Sequence, residues 1–448
     1  MIQVSFNNSV LAGGRARSLW LVVVMFNAAA TAPAQQALRN TLANESAAKN
    51  NTISLESLPY TFKTGDFKLL LTPSFETDWN DNINLSKSNQ EQDFILRPTL
   101  QVNSSYPITQ ANLLQLNVTA GYDKYLEHYD YSNWRVQSGS QLSFDTYVKD
   151  VLINLHERFD YTEDAGAQPV VAGSGEYGSA HNTAGLTLTW NPENLNLSLG
   201  YDHQNVMSPE GQFQAQDSTS ELIDGRIGWR FAPATTAGIE ATYSSTAYDQ
   251  AVLNNNSSYT IGGYGIWRPG SYFNITPRAG YSIFQFQQTS QSAETFYLTT
   301  TGAPIVVATG TPVRTSDLNS WYADVTLSHD ITRALTYSLS FGHEIQPGVQ
   351  ADAVEDSYLR LSLIWKVIKN LDINSSFSYE HGQQGAGNVS GNLTENFDWY
   401  TGSLAVSRQL TKKLRLGLTS RYTLRSSTTA SLGYTQAMVG LQMAYALE

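Results

Sequence analysis

The chain has 448 residues, of which 15% are charged and 41% hydrophobic, and its formal net charge is −12. The sequence contains no cysteine, which excludes disulfide bonds, thiolate metal sites and a cysteine nucleophile. The 39 acidic residues outnumber the 27 basic ones, so no positive excess exists to neutralise phosphates and nucleic acid is not an expected partner. Low charge with 25 tyrosines is typical of a large β-protein whose strands face two media.

The first 34 residues have the features of a secretory signal peptide. Arg15 and Arg17 precede an apolar run from Leu19 to Ala30, and an Ala-x-Ala sequence ends at Ala34. The apolar run is shorter than the roughly 20 residues that a membrane-spanning helix needs. We therefore predict a signal peptide over residues 1–34, cleaved after Ala34, and not an N-terminal anchor.

The next segment, residues 35–66, differs from the rest of the chain. It is rich in alanine up to Lys49, but Asn50 and Pro59 would interrupt a helix. Because it lacks a sustained apolar stripe, we predict a mobile periplasmic segment, with a short helix reaching into a lumen as the alternative.

Hydrophobic residues alternate with polar ones over most of residues 67–448. Leu195, Leu197 and Leu199, for example, alternate with Asn196 and Ser198. Successive side chains of a strand point to opposite faces, so each segment has one apolar and one polar face. The segments are about ten residues long, which is enough for a tilted strand to cross a bilayer.

The connections between these segments are of two kinds that alternate strictly. Eight are short turns, and nine are longer loops rich in Gly, Ser, Asn and Gln. Short periplasmic turns and long extracellular loops are typical of outer-membrane barrels. We predict an all-β, transmembrane antiparallel up-and-down barrel of about 18 strands, with 16 as the next choice. Since lipid cannot hydrogen-bond to the backbone, Tyr434–Leu447 should close the sheet against Phe67–Thr77.

Tryptophan positions favour two interfacial belts, one at each end of the barrel. Four lie at or near short turns and four beside long loops, whereas a general preference of Trp for strands would not explain this placement. These residues are Trp190, Trp229, Trp267 and Trp365, and Trp79, Trp134, Trp321 and Trp399.

The beginning of the predicted barrel resembles a known family. A Pro-containing first strand (residues 71–75), an Asn-Ile in the first loop (residues 79–83) and an Asp-x-Ile-x-x-Pro second strand (residues 93–98) are similar to the putative β-barrel porin 2 family. The resemblance implies a barrel in the outer membrane of Gram-negative bacteria, where some relatives are associated with exopolysaccharide export. The expected partners are outer-membrane lipid and lipopolysaccharide, the barrel assembly machinery and polysaccharide export components, while the oligomeric state stays open.

Arginines and acids on the polar face are the candidate pore-lining residues. Arginines that face acids would set up a transverse field that orients polar or anionic solutes. The alternative is that these charges hydrate the wall and pair across strands. The candidates are Arg158, Arg226, Arg230, Arg278, Arg360, Arg415, Arg421, Asp160, Asp224 and Asp324. Loop 287–317, the longest, should form a hairpin that extends above the membrane, with an inward-folded constriction as the alternative.

Motifs for chemistry are weak. The seven histidines are scattered, and no His-Glu-x-x-His, phosphate loop or Gly-x-Ser-x-Gly sequence occurs. We therefore predict no enzyme activity, no cofactor and no metal site, and a porin-like channel for small polar or anionic solutes. The second hypothesis is a structural or assembly barrel associated with exopolysaccharide export. The third is an outer-membrane hydrolase that uses a pair such as His156 with Asp160 or His203 with Asp202.

Overall fold

The structure is a computed structural model that describes residues 60–162, 164–172, 178–209, 211–288, 291–297, 304–312, 316–348, 352–385 and 395–447. The predicted signal peptide and the N-terminal segment up to residue 59 lie outside the described residues. Near the end of the predicted segment 35–66, a short strand, Phe62–Thr64, pairs with the start of the barrel. None of the helical turns within the described ranges has the length and apolar character of a transmembrane helix.

One antiparallel sheet of 18 long strands forms a closed barrel, as predicted. The first strand pairs with the second strand on one side and with the last strand on the other, which closes the ring. The fourth strand is interrupted, and both of its parts pair with the third. The strands are β1 Phe67–Asn80, β2 Asp93–Thr109, β3 Asn112–Tyr125, β4 Asn133–Val136 with Gln141–Val148, β5 Val151–Thr162, β6 Ser179–Trp190, β7 Leu195–Met207, β8 Ser218–Ala232, β9 Thr235–Tyr248, β10 Asn256–Gly270, β11 Phe273–Phe286, β12 Leu318–Thr332, β13 Leu335–Pro347, β14 Ala353–Ile368, β15 Leu371–Gln384, β16 Glu395–Gln409, β17 Leu414–Ser427 and β18 Tyr434–Tyr445.

The two faces of the sheet differ in polarity in the way that the alternation predicts. Along β8, Ile223, Ile227 and Trp229 are 45%, 49% and 49% exposed on the outer surface. Asp224 and Arg226, which alternate with them, are 3% and 8% exposed. The apolar face therefore points outward, and the polar face lines the interior.

All short turns lie at one end of the barrel and all long loops at the other, as predicted. We call these the short-turn end and the long-loop end. The two-residue turn after β4 has a left-handed residue, Lys149 with φ 57°, which suits the twist of a tight hairpin. In loop 287–317 a hairpin forms between Gln291–Tyr297 and Pro304–Pro312, and its second strand contacts the helical turn Gly211–Gln216.

The tryptophans form the predicted belts with one exception. Trp190, Trp229, Trp267 and Trp365 are 40% to 49% exposed on the outer surface near the short-turn end. Trp134 and Trp321 are outward at the long-loop end. Trp399 was placed in the second belt by its position in the sequence, but it is inward and 3% exposed, because it packs in an apolar cluster inside the barrel.

Candidate channel and its constriction

A carboxylate on the inner wall, Glu240 of β9, joins two of the predicted arginines. Arg226 Nη2 lies 3.2 Å from Glu240 Oε2, and Arg278 Nη2 lies 2.8 Å from Glu240 Oε1. Tyr322 donates its hydroxyl to Glu240 Oε1 at 2.9 Å. Arg226 and Arg278 therefore both pair with Glu240, a carboxylate that was not among the candidate pore-lining residues.

Glycines allow the tyrosines to lie flat along this wall. The ring of Tyr322 in β12 passes over Gly280 of β11 and Gly262 of β10, and so its hydroxyl reaches Glu240 of β9. A Cβ atom at Gly262 would lie 2.0 Å from Tyr322 Oη, and one at Gly280 would lie 2.5 Å from the ring. The Tyr322 ring can lie in this position only because residues 262 and 280 are glycines and have no side chain.

A second group surrounds Arg360 of β14. Arg360 donates to Glu380 through Nε at 3.0 Å and Nη2 at 2.7 Å. Its guanidinium lies 4.1 Å from the centre of the Tyr358 ring, and the Tyr358 hydroxyl donates to Asp324 at 2.9 Å. A recess of about 100 Å³ separates this group from Arg278 and Tyr322. The wall thus carries a polar recess between two arginines that are each held by a carboxylate.

The other predicted pore-lining residues also occupy inward positions in their strands. Arg415 pairs with Asp372, and Asp160 lies 3.2 Å from His181 Nδ1. Arg421 pairs with Asp164 of the loop between β5 and β6. Asp224 is buried, and its carboxylate lies over Gly200 of the neighbouring strand, in the space that a side chain at Gly200 would fill. Arg158 is half-buried, and Arg230 is exposed near the short-turn end. Their contribution to a pore stays a prediction.

Sequence reasoning missed an ion-pair network on β1–β4. Arg97 lies 2.6 Å from Asp78 and 3.2 Å from Asp123, and Arg135 lies 3.5 Å from Asp123. Arg97 falls inside the sequence that carries the family resemblance, but it was not among the candidate pore-lining residues. Alternation along β2 was the signal that could have found it.

The β5–β6 loop crosses the interior. We call its described residues 164–172 the crossing loop. Arg421 on β17 binds Asp164 through two bonds, of 2.7 and 2.8 Å. Arg425 Nε donates to the carbonyl of Pro169 at 2.9 Å, and Gln384 donates to that of Val170 at 2.9 Å. Because β17 is six strands from β5 around the ring, these contacts carry the loop over to another part of the wall.

An apolar cluster packs the crossing loop at the long-loop end. It combines residues of three loops with inward residues of β14, β16 and β18. A buried apolar cluster excludes water from the part of the lumen that it fills. The members are Leu85, Val170, Val171, Ala172, Phe213, Val354, Phe397, Trp399 and Tyr434. The crossing loop and this cluster therefore form the constriction of the candidate channel.

Protonation of Asp164 should weaken the constriction only in strong acid. Burial disfavours the charged carboxylate, but Arg421 outweighs this effect and lowers the pKa of Asp164 to about 2, from an ordinary value of 3.8. The ion pair is therefore intact above about pH 4 and is lost as the pH falls through about 2. In planar bilayers we expect openings to become more frequent only below pH 4, and we expect Asp164→Asn to remove this step. A step near pH 6 instead would assign the acid response to a histidine.

The sequence profile of the putative beta-barrel porin 2 family matches residues 59–294. The match covers more than half of the chain and extends from β1 through β11. The chain belongs to the putative beta-barrel porin 2 family. This porin-like protein is therefore a β-barrel of the bacterial outer membrane, as the resemblance implied, and its long-loop end is extracellular.

Several solved structures are similar to this family member at low identity. OccK5 (OpdH) of Pseudomonas aeruginosa is 9% identical, with a TM-score of 0.45 over 84% of this chain and 98% of that one. OccAB3 of Acinetobacter baumannii is 8% identical, with a TM-score of 0.45 over 84% and 98%. OpdK of P. aeruginosa is 10% identical, with a TM-score of 0.45 over 85% and 99%. No curated protein matches the sequence.

Proposed function

We propose that this porin-like protein is a restricted diffusion channel for small polar solutes. The observation that carries this function is the crossing loop, which narrows a wide polar lumen by binding Arg421 and Arg425 on β17. A barrel of 18 strands is wide enough for an aqueous channel unless something fills it. Diffusion through such a lumen involves no covalent step and no cofactor. The family match favours a channel over the exopolysaccharide-export barrel, which stays a prediction from the resemblance.

The balance of charge on the wall favours polar and cationic solutes more than anionic ones. Several of the arginines that would attract anions are held by carboxylates, namely Glu240, Glu380 and Asp372. Further carboxylates are bonded to uncharged donors, as in Asn154 with Asp145 and Tyr358 with Asp324. Carboxylates of this second kind add negative charge to the lining, and a charged lining sets the preference of a pore for ions.

A reversal-potential measurement tests both the channel and its selectivity. In a planar bilayer with a gradient of KCl, we expect the mature protein to conduct and the reversal potential to have the sign of K⁺ movement. Asp324→Asn should shift it toward zero, whereas Asp130→Asn, outside the barrel strands, should not. The sign of Cl⁻ movement would support the anion hypothesis instead, and a folded protein without any conductance would contradict a channel.

A further inference from the structure

Outside the lumen, three side chains at the long-loop end combine a nucleophile, a base and an acid. His343 of β13 lies directly opposite Ser357 of β14 in the strand register. The Ser357 hydroxyl is 3.0 Å from His343 Nδ1, which is within reach for proton transfer. Glu355 Oε1 is 3.2 Å from the other ring nitrogen, at ion-pair distance though not in hydrogen-bond alignment. Serine activated by an oriented histidine is the arrangement that acyl transfer requires.

This set faces the membrane. Ser357 and Glu355 alternate along β14 with Tyr358 and Asp356 and share the outward face with Leu359, which is 37% exposed. The ring of Trp321 stacks on His343 with centres 4.2 Å apart and is itself 56% exposed. Substrate could therefore reach the set from the lipid side and not from the lumen.

Ser357 lies inside the apolar band, within about 5 Å of its outer edge. Trp365 of the belt at the short-turn end lies eight residues along the same strand, about 27 Å at roughly 3.4 Å per residue. With a strand tilt of about 40°, this is roughly 20 Å across the membrane, compared with an apolar band about 25 Å tall. Acyl esters of the outer leaflet lie at this boundary between headgroups and chains.

A second histidine borders Ser357 on its other side. His381 of β15 is its partner in the register, and its Nδ1 lies 2.9 Å from Asp398, which also accepts the Tyr379 hydroxyl at 3.0 Å. Asp398 accepts from Nδ1 and so fixes the orientation of the His381 ring, and as the doubly protonated imidazolium this histidine also has a donor on Nε2. In that form it can donate a hydrogen bond to an oxyanion that forms on a carbonyl attacked by Ser357.

We propose that Ser357 and His343 hydrolyse acyl esters of outer-leaflet lipids at the outer face of the barrel, independently of the channel. Ser357 Oγ forms a bond to the ester carbonyl carbon while its proton passes to His343. The carbon–alkoxide bond then breaks, and His343 returns the proton to the leaving alcohol. Water attacks the acyl-serine, its proton passes to His343 and then to Ser357, and a fatty acid leaves. Glu355 acts through His343 and is a positioning residue.

An internal set of the same kind supplies a control. Ser179 Oγ lies 3.1 Å from His181 Nε2, and His181 Nδ1 lies 3.2 Å from Asp160. Ser179 is 0% exposed on the inner wall, so an ester carbonyl has no access to its hydroxyl. Similar distances thus occur at a site where hydrolysis of a lipid is sterically excluded.

The test uses the full mature protein in vesicles of phosphatidylethanolamine and phosphatidylglycerol, with fatty acid release measured by mass spectrometry. Wild type should release fatty acid, and Ser357→Ala should release no more than vesicles without protein. His343→Gln should lower the rate by about a hundredfold or more. Glu355→Gln should leave activity in place but alter its pH–rate profile, which a merely structural contact would not do.

Vesicles of lipid A form a second arm that separates glycolipid esters from phospholipid esters, and ether-linked lipid should give no product.

Two control serines and one chemical probe make the result decisive. Ser179→Ala and Ser375→Ala, the latter outward on β15, should keep the wild-type rate. A fluorophosphonate should label the peptide that contains Ser357, and the label should disappear in His343→Gln. Every variant should keep heat-modifiable gel mobility and wild-type conductance. Folded wild-type protein without fatty acid release in either lipid arm, or with release unchanged in Ser357→Ala, would overturn the assignment while leaving the channel function unaffected.

Discussion

Replacing Asp164 with asparagine should make the widest conducting state of the channel more frequent. The two bonds between Asp164 and Arg421 tie the start of the crossing loop to β17. Loss of a charge-assisted contact in a partly exposed position costs about 1.5 kcal/mol, which corresponds to a roughly tenfold shift toward the undocked loop. Single-channel recording of the refolded mature protein at neutral pH would show this as more frequent openings of larger amplitude.

The ion pair between Arg415 and Asp372 supplies a matched control. It is also inward and joins strands that are not adjacent, β15 and β17, but its position is near the short-turn end, away from the crossing loop. Asp372→Asn should change ion selectivity slightly and leave the frequency of openings unchanged. Equal effects of the two substitutions would show that wall charge in general, and not docking of the loop, governs the openings.

The architecture of the barrel was predictable because its causes are local in the sequence. Alternation along each strand decides which face meets lipid, as in Leu195, Leu197 and Leu199, and the alternating loop lengths give the number and direction of strands. Closure then follows, since an open sheet edge cannot exist in lipid. The paired wall charges follow the same alternation, which is why the predicted arginines lie on inward positions.

The constriction could not be predicted in the same way, because it depends on contacts between distant loops and strands. Loop 287–317 is the longest and was therefore the candidate for a constriction, whereas the β5–β6 loop is the one that binds Arg421 and Arg425. A signal was present, since Pro169–Ala172 is an apolar run in a polar loop. An apolar run of this kind is stable only when another apolar surface covers it and excludes water. The sequence alone does not say that Phe397 and Trp399 supply it.

The outward set at Ser357 depends on register and was missed for that reason. His343 and Ser357 become neighbours only when β13 and β14 pair with one specific offset. A shift of one residue would turn one of them to the lumen. The two pairs considered from sequence, His156 with Asp160 and His203 with Asp202, are not joined by the described hydrogen bonds. His156 instead contacts Asp202 at 2.7 Å, and His203 contacts Glu221 at 2.8 Å.

Adding one methyl group at Gly262 should destabilise the barrel strongly. A Cβ atom there would lie 2.0 Å from Tyr322 Oη and 2.5 Å from the backbone oxygen of Ala279, which cannot rotate away. The Tyr322 ring would have to leave the wall, and Glu240 would lose its hydroxyl donor. Overpacking of this kind costs about 1–3 kcal/mol. Unfolding of Gly262→Ala by guanidinium from lipid vesicles, followed by Trp fluorescence, should therefore have a lower midpoint than wild type.

The adjacent residue provides the control for this prediction. Gly263 points to the opposite face, and a Cβ atom there would have its nearest contact at an ordinary 3.5 Å. Gly263→Ala should leave the midpoint unchanged or raise it, because alanine restricts the unfolded chain and gains about 0.4–1 kcal/mol. Tyr322→Ala removes the ring, so Gly262→Ala should cost less in that background, as expected for two residues in contact. If both glycine substitutions lower the midpoint equally, strand flexibility and not the path of Tyr322 explains these glycines.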